Sequence, residues 1–279
     1  MVNVYEPGPL EGRLDQWPVL ATSGALEVRL AETDAEVEAA QRLRYRVFYE
    51  EMRAVPTPQM REERRDFDKF DPVCDHLLVI DRDRIEDDGQ PAVVGCYRMM
   101  REEHAAEVGG FYTAGEYDIS RLLAARKGAK LLELGRSCVL KEYRSKPTSM
   151  QLLWKGLIAY VARFSIDAMF GCASFPGTNP DDHAAALTYL HHNAKLPQEI
   201  AVKALPQLYV NMDRLPIEQV NSKDALRAMP PLVKGYLRAG CLIGDGAVID
   251  RQFDTTDVFI YFDMARFSDR YKSRFGLGD

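Results

Sequence analysis

The sequence predicts an α/β (α+β) protein in which a mixed central sheet is flanked by helices. Its predicted elements run in the order β, α, β, β, β, α, β up to residue 174, without the regular alternation of a doubly wound fold. Of its 279 residues, 46% are hydrophobic and 28% are charged, so the chain can bury a sizeable core. We therefore expect a globular protein of this class.

The first predicted elements come from apolar patterns and a helix-capping signal. Residues 26–30 alternate apolar and polar side chains, which indicates a strand. Thr33 opens a capping box, so a helix is predicted from there through Glu51. The apolar segments 76–81 and 92–100 flank a turn-rich connection. They predict a pair of hairpin strands.

The next elements complete the predicted sheet and extend beyond it. A strand over 131–140, a long helix over 150–166 and a strand over 168–174 follow. The later elements are a helix over 181–194, a strand over 205–210, a helix from Pro231 closed by Gly240, and a loop then a strand within 244–262. We divide the chain into an N-terminal arm (1–24), a core (25–178) and a C-terminal extension (179–279) that completes the fold.

Charge and hydropathy exclude several protein classes. The chain carries 36 Lys and Arg against 42 Asp and Glu, a net charge of −6, which argues against a general nucleic-acid binder. The longest run without these residues, 168–180, is too short for a bilayer span. The first 17 residues contain no apolar stretch of a secretory signal. We expect a cytoplasmic protein.

Cysteines and histidines predict no metal site. The five cysteines are odd in number, widely spaced and free of any CxxC pair, so neither a disulfide framework nor a zinc site is expected. The adjacent His191 and His192 point in different directions on a helix, and no third ligand follows from spacing. The sequence therefore predicts a structural role for them and no metal.

Charged residues interrupt two of the predicted apolar strands. Arg98 lies in the strand over 92–100, and Glu133 and Arg136 lie in the strand over 131–140. A charge buried on a central strand costs several kcal/mol unless it is paired. These residues are therefore partners of one another, site residues, or both.

Strand geometry bears on the pair Glu133 and Arg136. Three residues apart, they would point to opposite faces of a regular strand. Gly135 between them indicates a bulge, which could bring both side chains to one face. The alternative is an edge strand with one solvated face, although the flanking leucines argue against it.

Two further groups of candidate site residues precede the predicted hairpin. Arg44 and Phe48 lie four residues apart and so share a face of the first helix. Asp66, Asp68 and Asp71 cluster in the segment DFDKFD. An ordinary hydrophobic core would not place these groups here, so we treat them as candidates.

Several strings in this order resemble a known family. LRYRVF, GCYRMM and ELGRSCV resemble the acyl-homoserine-lactone synthase branch of the GCN5-related N-acyltransferases. The match is closer to the bacterial ornithine N-α-acyltransferases, through strings such as FDKFDPVCDHLLVID, LLWKGLIAYV, FGCASFPGTNP and GDGAVIDRQFDTTDVFI. The resemblance implies the GCN5-related fold and transfer of a 3-hydroxy fatty acyl group from acyl carrier protein to the α-amine of L-ornithine. The product would be lyso-ornithine lipid.

The resemblance also implies a set of site residues. The implied substrate-lining residues are Arg44, Phe48, Asp68, Asp71, Arg98 and Arg136. Arg98 or Arg136 is expected to hold the ornithine carboxylate, and Asp68 or Asp71 the δ-ammonium.

The reaction itself needs a general base and donors for an oxyanion. An α-amine has a pKa of about 8, so it must lose a proton before it attacks. Glu133 is the expected base, because burial in an apolar strand would raise its pKa. Backbone N–H groups around Ser137, Cys138 and Val139 are expected to stabilise the oxyanion.

The donor is expected to be a carrier protein rather than coenzyme A. Acyltransferases of this fold usually bind a pyrophosphate with a glycine-containing loop, but residues 144–149 read RSKPTS and contain no glycine. An acyl carrier protein presents only the single phosphate of its 4'-phosphopantetheine, as a co-substrate, so no resident cofactor is expected. Lys141, Arg144, Lys146 and Ser149 are the expected binding residues for it.

Two other functions remain open at this stage. One is an N-acyltransferase for another amine acceptor, like an acyl-homoserine-lactone synthase or an N-acyl amino acid synthase. The other is a non-catalytic protein that binds a carrier protein or a membrane. A stripe of Met264, Phe267, Tyr271 and Phe275 beside arginines predicts a C-terminal helix that packs on the protein or lies peripherally on the inner membrane.

Overall fold

The computed structural model describes residues 18–266, apart from Asp88, Lys146 and the side chain of Pro147. The predictions for residues 1–17, for Lys146 and for the C-terminal stripe beyond Arg266 therefore lie outside the described residues. The strands are β1 (Ala21–Ser23), β2 (Leu26–Leu30), β3 (Asp75–Ile85), β4 (Pro91–Arg101), β5 (Tyr117–Asp118), β6 (Leu131–Val139), β7 (Ala168–Pro176), β8 (Lys203–Ala204), β9 (Leu242–Asp250) and β10 (Thr255–Asp263). The α-helices are α1 (Asp34–Tyr45), α2 (Pro58–Glu63), α3 (Glu102–Ala105), α4 (Ser120–Ala125), α5 (Lys141–Arg144), α6 (Pro147–Phe164), α7 (Ala184–Asn193), α8 (Ser222–Ala228) and α9 (Pro231–Ala239).

The strands form one mixed sheet, as predicted. Their order is β1-β2-β3-β4-β6-β7-β10-β9-β8-β5. Neighbours pair antiparallel except β6 with β7 and β8 with β9, which pair parallel. The parallel pair β6 and β7 lies near the middle, and α6 connects the two strands. The cavity described below is lined by residues of both of these strands.

Two predictions about the C-terminal extension are wrong. Residues 205–210 form no strand, and only an isolated bridge joins Val210 to Ala247. The segment predicted to be a loop before the last strand belongs instead to β9, which pairs with β10. Alternation is hard to see in β9 because Gly244 and Gly246 interrupt it. The extension joins the core sheet through β10, which pairs with β7; the domain division itself stays a prediction.

The first helix is confirmed but changes its winding before it ends. Thr33 accepts a hydrogen bond from the N–H of Glu36, as the capping box requires. After Tyr45 the helix widens into a π-helical turn over Arg46–Glu51. A π turn shifts the side chains that follow it around the helix axis. Consequently Arg44 and Phe48 have different surroundings.

The pairing of β6 with β7 ends halfway along both strands. The last pair is Leu134 with Gly171, although β6 continues to Val139 and β7 to Pro176. Beyond that pair, no strand among the described residues pairs with the edge of β6 that faces β7, while the other edge of β6 stays paired with β4. The strands therefore part and leave backbone groups of β6 facing a cleft. In the part of the chain that the model covers, no helix is long and apolar enough to cross a membrane.

Candidate active site

A cavity of about 440 Å³ opens where β6 and β7 part. Its walls come from the π turn after α1, from β4, β6, β7, α9 and the β9–β10 turn. Eight of the predicted site residues line this cavity. They are Phe48, Arg98, Glu133, Arg136, Ser137, Cys138, Val139 and Arg144.

The predicted bulge in β6 is present, but glycine is not the residue that takes the unusual conformation. Cys96 pairs with Cys138 and Arg98 pairs with Gly135, so β6 carries one extra residue between these two pairs. Arg136 has a φ of 52°, in the left-handed region that non-glycine residues rarely adopt. This conformation turns Arg136 to the cavity side that Glu133 also faces.

Beside the cavity, three arginines and three aspartates form one ion-pair network. Arg44 is fully buried, and its Nη2 donates to Asp71 Oδ1 at 2.8 Å and to the Asp66 carbonyl at 2.5 Å. Its Nε lies 2.8 Å from Asp66 Oδ2. Burial and the neighbouring guanidinium groups act in opposite directions on Asp66, and the net effect lowers its pKa. Arg44 thus secures the segment that connects α2 to β3.

The same aspartates hold the two arginines of the cavity wall. Arg98 Nη1 donates to Asp68 Oδ1 at 2.7 Å. Arg136 donates from Nε to Asp66 Oδ2 and from Nη2 to Asp68 Oδ2, each at 3.2 Å. The predicted partner of Arg98 on a neighbouring strand was Glu133, but its nearest carboxylate is Asp68. The guanidinium of Arg136 also lies over the rings of Tyr112 and Phe253, at 5.0 and 4.6 Å from their centroids.

The network changes how three of the predicted residues can act. Arg44 and Asp71 are buried behind the cavity wall and do not line it. Asp68 is partly exposed, yet both its oxygens accept hydrogen bonds from arginines. Since the network holds three positive and three negative groups, its charges balance. The role of these residues in binding substrate stays a prediction, and the structure shows them positioning Arg98 and Arg136.

Glu133 lines the cavity, and both of its carboxylate oxygens accept hydrogen bonds. It is 5% exposed, and its Oε2 and Oε1 accept hydrogen bonds from the N–H groups of Tyr112 and Thr113, at 3.0 and 2.7 Å. Burial raises its pKa above the usual value for a glutamate, although these N–H groups partly oppose the rise. The two hydrogen bonds fix the carboxylate in one orientation. A carboxylate held in this way is suited to accept a proton.

Another part of the cavity is apolar apart from one group of hydroxyls. Tyr97 on β4 and Tyr236 on α9 form a hydroxyl–hydroxyl hydrogen bond. Burial raises the pKa of Tyr97 to about 12, while hydrogen bonding to Tyr236 and Ser137 opposes this. Val139, Met150 and Leu232 belong to the same walls. Such a space fits a hydrocarbon chain that carries one polar group.

Of the described residues predicted to bind the carrier protein, Arg144 alone lines the cavity. Arg144 donates from Nε to the Val139 carbonyl at 2.7 Å and from Nη2 to Glu51 at 2.6 Å. Lys141 is exposed one helical turn earlier. Ser149 lies in the first turn of α6, and its buried hydroxyl has no hydrogen-bond partner among the described residues. The free N–H groups of a helix start, with this hydroxyl, favour an anion.

Sequence reasoning missed a second acidic group at the cavity. Asp250 and Asp257 line it, and Glu116 lies against them. Asp257 is an acid inside the apolar strand β10, which is the same signal that singles out Glu133. Asp250 is the last residue of β9 and Glu116 lies just before β5, and no local pattern predicts that the two meet. Elsewhere His192 Nε2 lies 2.8 Å from Asp213 Oδ1, a neighbour that helix spacing alone did not reveal.

Comparison with known proteins supports this fold. Residues 43–155 match the family model described as an acetyltransferase (GNAT) domain. The L-ornithine N(alpha)-acyltransferase of Rhizobium meliloti (strain 1021) is 51% identical over 258 residues, covering 92% of this chain and 86% of that protein. The protein of the same name from Brucella abortus (strain 2308) is 54% identical over 258 residues, covering 92% and 91% respectively. A solved N-acyl amino acid synthase from uncultured soil microbes matches more distantly, with 13% identity and a TM-score of 0.49 over 91% of this chain and 98% of that chain.

The split strand pair, the cavity and the family match define an acyltransferase with the GCN5-related N-acyltransferase fold. The predicted fold class is thereby confirmed. Within that class, the chain belongs to the L-ornithine N(alpha)-acyltransferase family, as the sequence resemblance implied.

Proposed function

We propose that this protein transfers a 3-hydroxy fatty acyl group from acyl carrier protein to the α-amine of L-ornithine, forming lyso-ornithine lipid. The observation that carries the proposal is the buried carboxylate of Glu133, which lines the cavity and is oriented by two backbone N–H groups. The chain that holds it is related to L-ornithine N(alpha)-acyltransferases. The names of the relatives support ornithine as the acceptor. The donor and the acyl group follow from features at the other end of the cavity.

Glu133 is the proposed general base. It accepts a proton from the ornithine α-ammonium, and the free amine attacks the carbonyl carbon of the thioester. The new C–N bond forms first and gives a tetrahedral oxyanion. Collapse of the oxyanion breaks the C–S bond, and the second proton lost by the nitrogen passes to the departing pantetheine thiolate. The raised pKa of Glu133 brings it closer to that of the amine, which favours proton transfer near neutral pH.

The unpaired edge of β6 is the proposed oxyanion site. Beyond Leu134, none of the strands that the structure describes pairs with that edge, so N–H groups of the segment Ser137–Val139 can donate to a group in the cleft. Donors held in place by a strand need no reorganisation when negative charge develops on the thioester oxygen. Arg98 and Arg136 are the proposed contacts of the ornithine carboxylate, since both line the cavity.

Phosphopantetheine is proposed to enter past α6. The start of this helix, with the unpartnered hydroxyl of Ser149, suits the single phosphate of the prosthetic group. Lys141, Arg144 and Lys146 are the proposed contacts of the acidic carrier protein. Charge reversal at Lys141 and Arg144 should weaken use of acyl carrier protein while sparing a free acyl-pantetheine thioester. Equal loss with both donors would contradict this docking site.

The 3-hydroxyl group of the acyl chain is proposed to bind the hydroxyls of Tyr97, Tyr236 and Ser137. They are polar groups in an otherwise apolar part of the cavity. A hydroxyl buried on the substrate requires such a partner, because an unpaired one costs about 1–3 kcal/mol.

One assay separates this proposal from its alternatives. The protein is incubated with 3-hydroxyacyl carrier protein and a panel of amines, and release of the carrier thiol is followed. We expect ornithine to be the preferred acceptor, with an N-α-acylated product by mass spectrometry. Preference for S-adenosylmethionine or another amino acid would favour a related synthase. No thiol release with any amine would favour a non-catalytic protein.

Contact with the inner membrane is proposed for the C-terminal stripe. The product has one acyl chain, and arginines beside apolar residues attract an anionic surface. Deletion of residues 264–279 should abolish sedimentation with anionic liposomes. Unchanged sedimentation would remove this part of the proposal.

A further inference from the structure

Three carboxylates meet at the cavity outside the arginine–aspartate network. Oxygen atoms of Glu116, Asp250 and Asp257 lie within 4.8 Å of one another. Asp250 ends β9, Asp257 lies on β10 opposite Ser174, and Glu116 precedes β5. Three separate elements therefore bring acids to one point, which no local sequence constraint requires.

This acid cluster has no cation of its own. None of its three carboxylates forms an ion pair with a lysine or arginine in the part of the chain that the model describes. The arginines nearest the cavity, Arg98 and Arg136, are already bound by Asp66 and Asp68. The arginine–aspartate network is balanced in charge, so the acid cluster adds negative charge to this end of the cavity, and the guanidinium of Arg136 opposes it only in part.

The polar contacts of the acid cluster leave capacity for a ligand. Asp250 Oδ1 accepts from the N–H groups of Gln252 and Phe253, and Glu116 Oε2 accepts from Cys172 Sγ at 3.2 Å. Asp257 is 6% exposed, and its Oδ1 has no hydrogen-bond donor among the residues described. A buried carboxylate oxygen without a donor is costly. On the wall of a cavity, it indicates that a donor arrives with a ligand.

The surroundings of the acid cluster raise the pKa of two of its carboxylates. Burial, with repulsion from Asp257, raises the pKa of Glu116 to about 7. Burial, with repulsion from Asp250, raises the pKa of Asp257 to about 6, although the hydroxyls of Ser174 and Thr255 oppose it. Such groups either retain protons or bind a positive charge.

The acid cluster and Glu133 belong to the same end of the cavity. Cys172 lies between them on β7: its thiol contacts Glu116, and the carboxylates of Glu116, Asp257 and Glu133 all add to the effect of burial in raising its pKa. Asp257, Cys172 and Glu133 also line one continuous cavity. A ligand whose amine contacts Glu133 therefore extends through the same cavity as the acid cluster.

We propose that Glu116, Asp250 and Asp257 bind the side-chain ammonium of the acceptor and so select a diamino acid over a neutral amino acid. The proposal rests on the proposed function and replaces Asp68 and Asp71 in this role, since arginines already occupy those carboxylates. An ammonium group has three donors, which suits three convergent carboxylates, one of them with an unpartnered oxygen. The α-amine of the same molecule then points to Glu133.

The test compares two acceptors that differ by one amino group. Wild-type protein, Asp257→Asn and Glu116→Gln are assayed with L-ornithine and with L-norvaline, and ornithine binding is measured by calorimetry. Removing one charge of a buried pair should raise the KM and the Kd for ornithine at least about 30-fold. The kinetic constants for norvaline should change by less than about threefold, since norvaline brings no charge to the acid cluster. Asp213→Asn, at an exposed carboxylate remote from the cavity, is the matched control and should change neither acceptor.

The possible outcomes distinguish failure of the proposed function from failure of the proposal about the acid cluster. If wild-type protein does not acylate ornithine, the proposed function fails, and this inference fails with it. If ornithine is acylated but the variants keep its KM and its preference over norvaline, only the inference about the acid cluster fails. Equal loss with both acceptors, or activity that requires a divalent cation and is abolished by EDTA, would also overturn it.

Discussion

Gly171 of β7 faces the carbonyl oxygen of Leu134 on β6 so closely that any side chain at Gly171 would clash with it. The two residues form the last pair before the strands part. The backbones of β6 and β7 are in close contact at this pair and separate directly after it, and the cleft lies between the separated parts. The strand geometry that opens the cavity therefore requires glycine at position 171.

Gly171→Ala should destabilise the protein by about 1–3 kcal/mol, because the added methyl group overlaps a backbone carbonyl that cannot move without breaking the sheet. Urea denaturation measures this. Gly135→Ala is the control on the partner strand, since no atom lies within 4 Å of the position of its Cβ. An equal effect at both positions would show that loss of glycine alone, and not the contact with Leu134, is responsible.

Arg44→Met should lower the free energy of unfolding by about 3–5 kcal/mol. The variant keeps much of the side-chain volume but leaves Asp66 and Asp71 buried without their main cation. Arg42→Met, at an exposed position of the same helix, should change stability by less than about 1 kcal/mol. Chemical denaturation compares the two. Similar stability of both variants would mean that the ion-pair network contributes little to the fold.

Glu133→Gln should reduce turnover at least about 100-fold while the protein stays folded. An amide cannot accept the amine proton, although it can keep one of the two backbone hydrogen bonds. In wild-type protein, kcat/KM should rise with pH as Glu133 loses its proton. The pH profile of the variant should not show this rise. Circular dichroism checks folding. Near-normal turnover would remove Glu133 as the base.

Tyr97→Phe should reduce the preference for a 3-hydroxyacyl over an unsubstituted acyl thioester roughly tenfold, because one hydroxyl partner is lost. The ratio of kcat/KM values for the two donors is the measurement. Tyr143→Phe is the matched control, since Tyr143 also lines the cavity but donates to Asp81. An unchanged ratio in Tyr97→Phe would place the substrate hydroxyl elsewhere.

Asp257→Asn should stabilise the ligand-free protein at pH 8. Because the pKa of Asp257 is raised to about 6 on folding, wild-type protein loses stability as pH rises from about 4 through 6, where the unfolded chain is already ionised. The variant has no such loss, so its advantage should be largest at pH 8 and should shrink towards pH 4. The charged and titratable groups facing Asp257 are Glu116, Asp250, Cys172, Tyr117 and Arg136.

Thermal unfolding at several pH values measures the effect. A second measurement with Glu116→Gln should show the same trend, because the pKa of Glu116 is raised to about 7 by the same burial and repulsion. An advantage that does not vary with pH would mean that relief of charge is not its cause.

Local pattern was sufficient for most of the sheet and for the identity of the charged candidates. Helix capping at Thr33, the hairpin of β3 and β4, and the closing Gly240 are properties of neighbouring residues, so they could be predicted. The bulge beside Gly135 was predicted from strand parity, but its left-handed residue is Arg136. Local sequence could not show which residue of β6 adopts the left-handed conformation, because the pairing of β6 with β4 determines where the extra residue is accommodated.

The sequence alone determined that Arg98, Glu133 and Arg136 interrupt apolar strands and therefore need a reason to be there. Only the tertiary structure decided their partners. Asp68 approaches Arg98 from 30 residues away in the chain, and Asp257 approaches Glu116 across the sheet. Pairing of charges depends on distance in space, which chain folding fixes through the packing of whole strands. For this reason the balanced arginine–aspartate network and the unbalanced acid cluster became distinguishable only in three dimensions.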